Sequence, residues 1–248
     1  MNPAEYDNLA LAEDRMWWFR GMRRILFALL DPQGRRRHIT RALDAGCGTG
    51  AMARTLERRY GWSVTGADIA HTGLLIARRA GRPDAVECDV LRLPFADGAF
   101  GAAVSLDMLV HLAPGQESSA LNEFARVLAP GGLLALRVAA FHSLRSRHSA
   151  YVGERQRFRG AALIRTAVAA GFRPLRSTYA NTLLLPVALA KFRLCEPLLR
   201  TPVSSSVKMG PAWLEHLLHT PLVLESALIG AGLRLPVGQS FLLIAEKA

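Results

Sequence analysis

The stretch Asp44-Ala45-Gly46-Cys47-Gly48-Thr49-Gly50 decides how this chain is read. Its glycines let the backbone take positive φ angles and let a ligand approach closely. Residues 41–45 before it read as a short strand, and residues 51–60 after it as a helix. The turn therefore offers the amides of a helix N-terminus to a polar or anionic ligand. Glycine or alanine at 46, 48 and 51 also satisfies a dinucleotide-binding spacing, with Gly50 surplus. The lysine of a triphosphate-binding loop is missing, which argues against nucleoside-triphosphate hydrolysis.

Outward from this turn, strand and helix patterns alternate. Strands are predicted over 63–67, 85–88, 99–106 and 133–138, the last after the turn Pro130-Gly131-Gly132. Helices are predicted over 72–80 and 117–128. Such alternation implies a mainly parallel sheet covered on both faces, with ligands bound beyond the C-terminal strand ends. Asp44, Asp68, Asp89 and Asp107 all fall at or near that edge, spaced by 24, 21 and 18 residues. Asp68 at the end of the second strand suits hydrogen bonding to ribose hydroxyls. Residues 5–31 read as an N-terminal helix closed by Asp31-Pro32-Gln33-Gly34, with the run Arg35–Arg37 facing solvent. A helix over 161–170, a sixth strand over 172–179 and a seventh over 240–245 complete the chain. Between the last two strands lie helical candidates at 183–199 and 212–229, interrupted by Pro186, Pro197, Pro202, Pro211 and Pro221.

Composition sets bounds. Of 248 residues 50% are hydrophobic and 21% charged, so a disordered or collagen-like chain is excluded. Three cysteines, Cys47, Cys88 and Cys195, show no paired or metal-type spacing, which suits a reducing compartment. No basic leader opens the chain and no apolar stretch reaches the roughly 20 residues that span a bilayer, so a cytoplasmic protein is expected. The formal charge is +11, and its excess peaks at 141–180, with eight arginines and one acid, Glu154. No zinc finger, RNA-recognition motif or basic–aromatic track accompanies it, so nucleic acid is an improbable partner. His216 and His219 lack an evident third ligand, and no metal is expected.

The motifs Leu43 to Gly50, Gly66-Ala67-Asp68, Cys88 to Phe95, Phe100 to His111 and Val127 to Gly132 together resemble the class I S-adenosylmethionine-dependent methyltransferases. The resemblance covers residues 40–140 as a cofactor-binding core. It implies an α/β, Rossmann-like seven-stranded sheet with an antiparallel last strand, within a single domain over 1–248. Around the core stand a helical cap (1–37), an arginine-rich substrate-side segment with strand six (141–180), a helical insertion (181–236) and the final strand (237–248). The implied cofactor is S-adenosyl-L-methionine, with S-adenosyl-L-homocysteine as product. Asp44, Gly46, Cys47, Gly48, Thr49 and Gly50 would meet its methionine part, Asp68 the ribose, and Asp89 with Val90 the adenine, with Ile69 also among the cofactor-binding residues. Leu106 and Asp107 would lie beside the methionine end. Trp17-Trp18-Phe19 followed by Arg23-Arg24 is similar to the leader helix of a bacterial subgroup of varied substrates. Two alternatives stay open: a nicotinamide-dependent oxidoreductase, which leaves Asp89 and Leu93-Pro94-Phe95 unexplained, and a noncatalytic interaction protein on the same fold.

Methyl transfer from a sulfonium is an in-line displacement in which alignment supplies much of the rate. A hydroxyl acceptor also needs a proton acceptor, a role suited to histidine. His111 follows strand four, and His142 and His148 follow strand five, where the acceptor should arrive. Trp17, Trp18 and Phe19 are candidates to close over the pocket, and Arg145, Arg155, Tyr151 and Tyr179 to line it. Arginines would favour an acidic small molecule, such as a natural-product intermediate. Residues 183–200, with Lys191, Arg193 and Arg200 beside leucines, suit either a peripheral membrane contact or a buried cap. The chain is expected to be a monomer or a homodimer.

Overall fold

A computed structural model of the protein describes residues 2–82, 84–198 and 202–248. Its centre is a seven-stranded sheet in the order β3-β2-β1-β4-β5-β7-β6. The strands are β1 (Arg41–Ala45), β2 (Ser63–Asp68), β3 (Val86–Glu87), β4 (Phe100–Leu106), β5 (Leu128–Ala139), β6 (Phe172–Ala180) and β7 (Ser240–Lys247). β1 to β5 run parallel, and β7 lies antiparallel between β5 and β6. Along β5 the register with β4 shifts between Phe100 and Ala102, across the Pro130-Gly131-Gly132 turn. The helices are α1 (Ala4–Ala12), α2 (Trp17–Gly34), α3 (Ala51–Tyr60), α4 (His71–Arg79), α5 (Gln116–Val127), α6 (Arg147–Tyr151), α7 (Gly160–Ala169), α8 (Leu185–Ala190), α9 (Glu196–Leu198) and α10 (Ala212–Gly230).

Each central strand is apolar on both sides, and successive side chains sort to opposite faces. Leu43, Ala103, Leu134, Leu136 and Leu243 pack with Leu121 and Phe124 of α5 and Leu163 of α7. Ala42, Val104, Leu133, Ala135, Leu242 and Ile244 pack with Ile25, Leu26 and Leu29 of α2, Leu56 of α3 and Leu222 and Ile229 of α10. The insertion between β6 and β7 thus adds a helix to the core as well as material above it. Its root is fixed by Glu225, fully buried, whose two oxygens accept the backbone N–H groups of Asn181 and Leu183 at 2.7 Å each.

Several boundaries differ from the sequence reading. The N-terminal helix is two helices, because Met16 is extended and the Trp17 N–H that opens α2 is capped by Glu215 of α10 at 2.7 Å. α2 then continues past Pro32 to Gly34, where Asp31 is held by Arg59 and by the Tyr60 hydroxyl at 2.6 Å. Arg37 does not simply face solvent: it donates to the Gly131 carbonyl at 2.6 Å and pairs with Glu246 at 3.1 Å. The third strand is only two residues, and α10 runs through Pro221. The first insertion helix is α8, a π-helical turn at Lys191–Cys195 and α9 in succession.

α10 presses against α2 at Gly21. A Cβ there would lie 2.6 Å from Leu222 Cβ, well inside van der Waals contact. Gly21→Ala gains about 1 kcal/mol of helix propensity, yet overpacking against Leu222 should leave it about 1–2 kcal/mol less stable in urea unfolding. Leu222→Ala alone should cost about 2–5 kcal/mol. The double variant should lose clearly less than the sum, and strict additivity would mean that the two positions do not press on each other.

Candidate active site

The glycine turn is built by its own backbone. Gly46, Gly48 and Gly50 have φ of 81°, 52° and 75°, a region that side chains with a Cβ rarely adopt. The N–H groups of Gly46 and Cys47 donate to the Ala67 carbonyl at 2.7 and 3.1 Å. The next amide, Gly48 N–H, donates to Asp68 Oδ2 at 2.8 Å, and Ala70 N–H donates to Asp68 Oδ1 at 2.8 Å. The turn is thereby tied to the end of β2. Each Asp68 oxygen keeps a further acceptor position for a ligand hydroxyl. Gly50 starts α3, and Thr49 is buried behind the turn with its hydroxyl on Glu13.

A cavity of about 660 Å³ opens over this turn, a size suited to a cofactor together with a small molecule. Asp44, Gly46, Cys47, Gly48, Asp68, Ile69, Leu106 and Asp107 border it. Asp44 stands out: its side chain is buried and its Oδ2 has no hydrogen-bond partner. Burial, reinforced by the nearby Asp68 charge, pushes its carboxyl up to about 7. A ligand ammonium would supply the missing partner and favour the ionised form. An unpartnered acid beside a hydroxyl-accepting carboxylate fits a ligand with an amine at one end and a sugar diol at the other. Asp89 and Val90 do not border the cavity; Asp89 is exposed and accepts from Leu91 N–H, and Val90 is core.

Burial holds the Cys47 thiol protonated, with Asp44 and Asp68 adding to the effect, so it is a packing group. The phenol of Tyr6, from α1, is likewise held up by burial and then by Asp68. Tyr6 packs against Gly48 and Gly73, and α1 thus covers the turn.

The rest of the cavity wall comes from segments distant in sequence. Trp17, Trp18 and Phe19 line the cavity. Trp18 lies under the Arg137 guanidinium, 4.8 Å from ring centroid to Cζ. Arg137 also donates to Asp107 Oδ2 through Nε (3.0 Å) and Nη2 (2.6 Å). Asp107, in the left-handed region with φ 55°, is therefore an ion-paired residue. Sequence reasoning missed Arg137; its signal was one arginine within the apolar run 133–138. It also missed Glu215, which accepts Trp17 N–H and Gly210 N–H and so sets the aromatic segment.

His111 and His148 border the cavity, whereas His142 is exposed beside a separate 440 Å³ depression. Burial lowers the pKa of both His111 and His148. Their ring nitrogens differ in role. Nδ1 of His111 lies 3.4 Å from the Gly153 carbonyl, so Nδ1 carries the proton and Nε2 keeps a lone pair. Nδ1 of His148 accepts from Ser206 N–H at 3.1 Å, so a neutral ring carries its proton on Nε2. The two histidines thus differ in which ring nitrogen keeps a lone pair.

The other proposed lining residues lie elsewhere. Arg145 donates to the Glu154 carbonyl, Arg155 is exposed, and neither borders the cavity. Tyr151 does not border it either. The Tyr179 hydroxyl accepts Gly160 N–H at 2.9 Å, and its ring stacks on Phe141 with centroids 5.1 Å apart. Arg157 does reach the cavity but is paired with Glu154. The unpaired cations at the cavity rim, among the described residues, are Lys191 and Lys208.

Known proteins share part of this sequence and its fold. A family model described as methyltransferase domain matches residues 43–136. Methyltransferase GfsG of Streptomyces halstedii is 32% identical over 142 residues, which cover 54% of this chain and 47% of that protein. Demethylmenaquinone methyltransferase of Thermus thermophilus is 44% identical over 100 residues, covering 38% and 44%. The chain thus spans less than half the length of these relatives. A crystal structure of geranyl diphosphate C-methyltransferase from Streptomyces coelicolor A3(2), holding Mg2+, geranyl diphosphate and S-adenosyl-L-homocysteine, superposes with a TM-score of 0.56 at 18% identity, covering 84% of this chain and 71% of that one. That likeness is one of fold. Residues 43–136 thus resemble a methyltransferase domain, and the seven-stranded sheet has the fold of the methyltransferase structure compared.

Proposed function

We propose that the protein methylates a small-molecule acceptor with S-adenosyl-L-methionine, leaving S-adenosyl-L-homocysteine. The observation that carries this reading is the buried, unpartnered Asp44 oxygen at the mouth of a glycine turn clamped to Asp68. Asp44 would hold the ammonium of the cofactor, Asp68 its ribose hydroxyls, and Ile69 and Leu106 its apolar edges. The cofactor supplies an electrophilic sulfonium methyl. The chain's residues bind and align, exclude water with Trp17, Trp18 and Phe19, and take up the proton that an O–H or N–H acceptor releases. His111 Nε2 would hold that proton.

The cavity also suggests the kind of acceptor. Met16, Leu184, Val187, Phe192, Leu214 and Leu218 give it apolar walls, while Lys191 and Lys208 stand at its rim. An apolar body carrying a carboxylate or phosphate fits these walls and charges. The relatives named above include a demethylmenaquinone methyltransferase.

Calorimetry tests the cofactor part: S-adenosyl-L-methionine should bind and NAD should not. Binding of NAD alone would overturn it. Asp68→Ala should weaken cofactor binding about tenfold or more. Because the Asp44 carboxyl sits near 7, acid protonates it and removes the ammonium's partner. Affinity should therefore rise from about pH 6 to about pH 8, and Asp44→Asn should flatten that rise. The same raised pKa means that the free protein binds an extra proton relative to its unfolded chain, so this residue's destabilising effect grows as pH climbs from about 4 to about 7. Asp44→Asn should accordingly raise the Tm of the cofactor-free protein at neutral pH by about 2–4 °C.

On an identified hydroxyl acceptor, His111→Ala should lower kcat by about 10²–10⁴-fold with KM little changed. His148→Ala should cost far less. The activity limb governed by His111 should fall only below the ordinary histidine pKa, since burial lowers it. Equal losses in both variants would remove His111 from the proton-accepting role. Mass spectrometry for the gain of one methyl on a panel of amphiphilic acids identifies the acceptor.

A further inference from the structure

We infer that the insertion between β6 and β7 is a docking face for a bilayer rich in anionic phospholipid. Among the described residues, twelve of the sixteen exposed large apolar side chains lie between Leu183 and Val237. Leu198 is 78% exposed and Trp213 67%. On α10, Trp213, Leu217 and Leu224 form one exposed stripe, opposite the buried Leu222, Glu225 and Ile229. α10 is therefore apolar on both sides, and the core accounts for only one of them. Apolar exposure on this scale marks an interaction surface.

Charge selects the occupant. All three acids of the insertion are buried and spent on backbone N–H groups: Glu196 on Arg147, Glu215 on Trp17 and Gly210, and Glu225 on Asn181 and Leu183. The exposed charges among its described residues are Lys191, Arg193, Lys208 and Arg234, all cationic. Arg200, which sequence reasoning added to this set, lies outside the described residues. A surface of exposed leucines, a tryptophan and basic side chains without an exposed acid complements lipid headgroups of negative charge over acyl chains. Among the described residues no helix is long and apolar enough to cross a membrane, so the contact is interfacial. The face is also continuous with the cavity mouth, since Val187, Lys191, Phe192 and Lys208 border the cavity. The inference rests on this surface and not on the methyl-transfer reading.

Cosedimentation with vesicles tests it, using the full chain, phosphatidylcholine alone, and phosphatidylcholine mixed with phosphatidylglycerol. The protein should bind the anionic vesicles, bind neutral ones weakly, and release as salt is raised. Trp213→Ser with Leu217→Ser, and separately Arg193→Glu, should each lower vesicle affinity by about tenfold or more. These positions do not border the cavity, so cofactor binding in solution should stay unchanged and certify the fold. Bilayer-embedded brominated lipid should quench tryptophan emission, and Trp213→Phe should remove the quenched component. No binding to anionic vesicles, binding unaffected by these substitutions, or a solution dimer that they dissociate without any vesicle binding would each overturn the inference. Methylation activity enters none of these readouts.

Discussion

The clamp between the glycine turn and the end of β2 is the constraint on which the site depends. Three successive amides, from Gly46, Cys47 and Gly48, reach the Ala67 carbonyl and the Asp68 carboxylate. That arrangement is available only because β1 and β2 are parallel neighbours in register, with Ala45 beside Ala67. It also requires left-handed backbone at Gly46 and Gly48. With those donors committed, Asp68 is oriented and Asp44 is left buried with an oxygen unsatisfied. An unsatisfied buried carboxylate is costly in the free protein. A bound amine at this position would relieve the cost.

Around that point the molecule separates two tasks. The parallel half of the sheet fixes the turn and its carboxylates. The cover comes from residues far apart in sequence: α1 lays Tyr6 over the turn, α2 starts with Trp17 and Trp18, and α10 sends Glu215 back to cap α2. Arg137 links the two halves by pairing with Asp107 and stacking over Trp18. The aromatic segment is thereby tied to β5 and to the residue that follows β4.

Most of the fold was legible because the strand–turn–helix repeat is local and its apolar periods are strong. The sheet order and its antiparallel β7 came with the family resemblance rather than from periodicity. The break at Met16 was hidden because its cause, Glu215, is 198 residues away from Trp17. Pro221 read as an interruption, yet α10 passes through it. The glycine turn and the place of Asp68 at the end of β2 were readable from spacing alone. The arginine-rich stretch was misleading as a cavity lining, because its charges serve internal bonds: Arg157 to Glu154, and Arg145 to a carbonyl. Tyr179 is likewise used to hold the start of α7. Two of the chain's three lysines do sit at the rim, and their rarity in an arginine-heavy sequence was the available clue.

The central claim is that Asp44 and Asp68 hold the two ends of one ligand across the strand tips. A crystal structure of the protein grown with S-adenosyl-L-homocysteine measures this directly. The account predicts the amino group on Asp44, the ribose hydroxyls on Asp68 and the glycine turn unmoved. A nucleoside bound elsewhere, with Asp44 still lacking a partner, would contradict it.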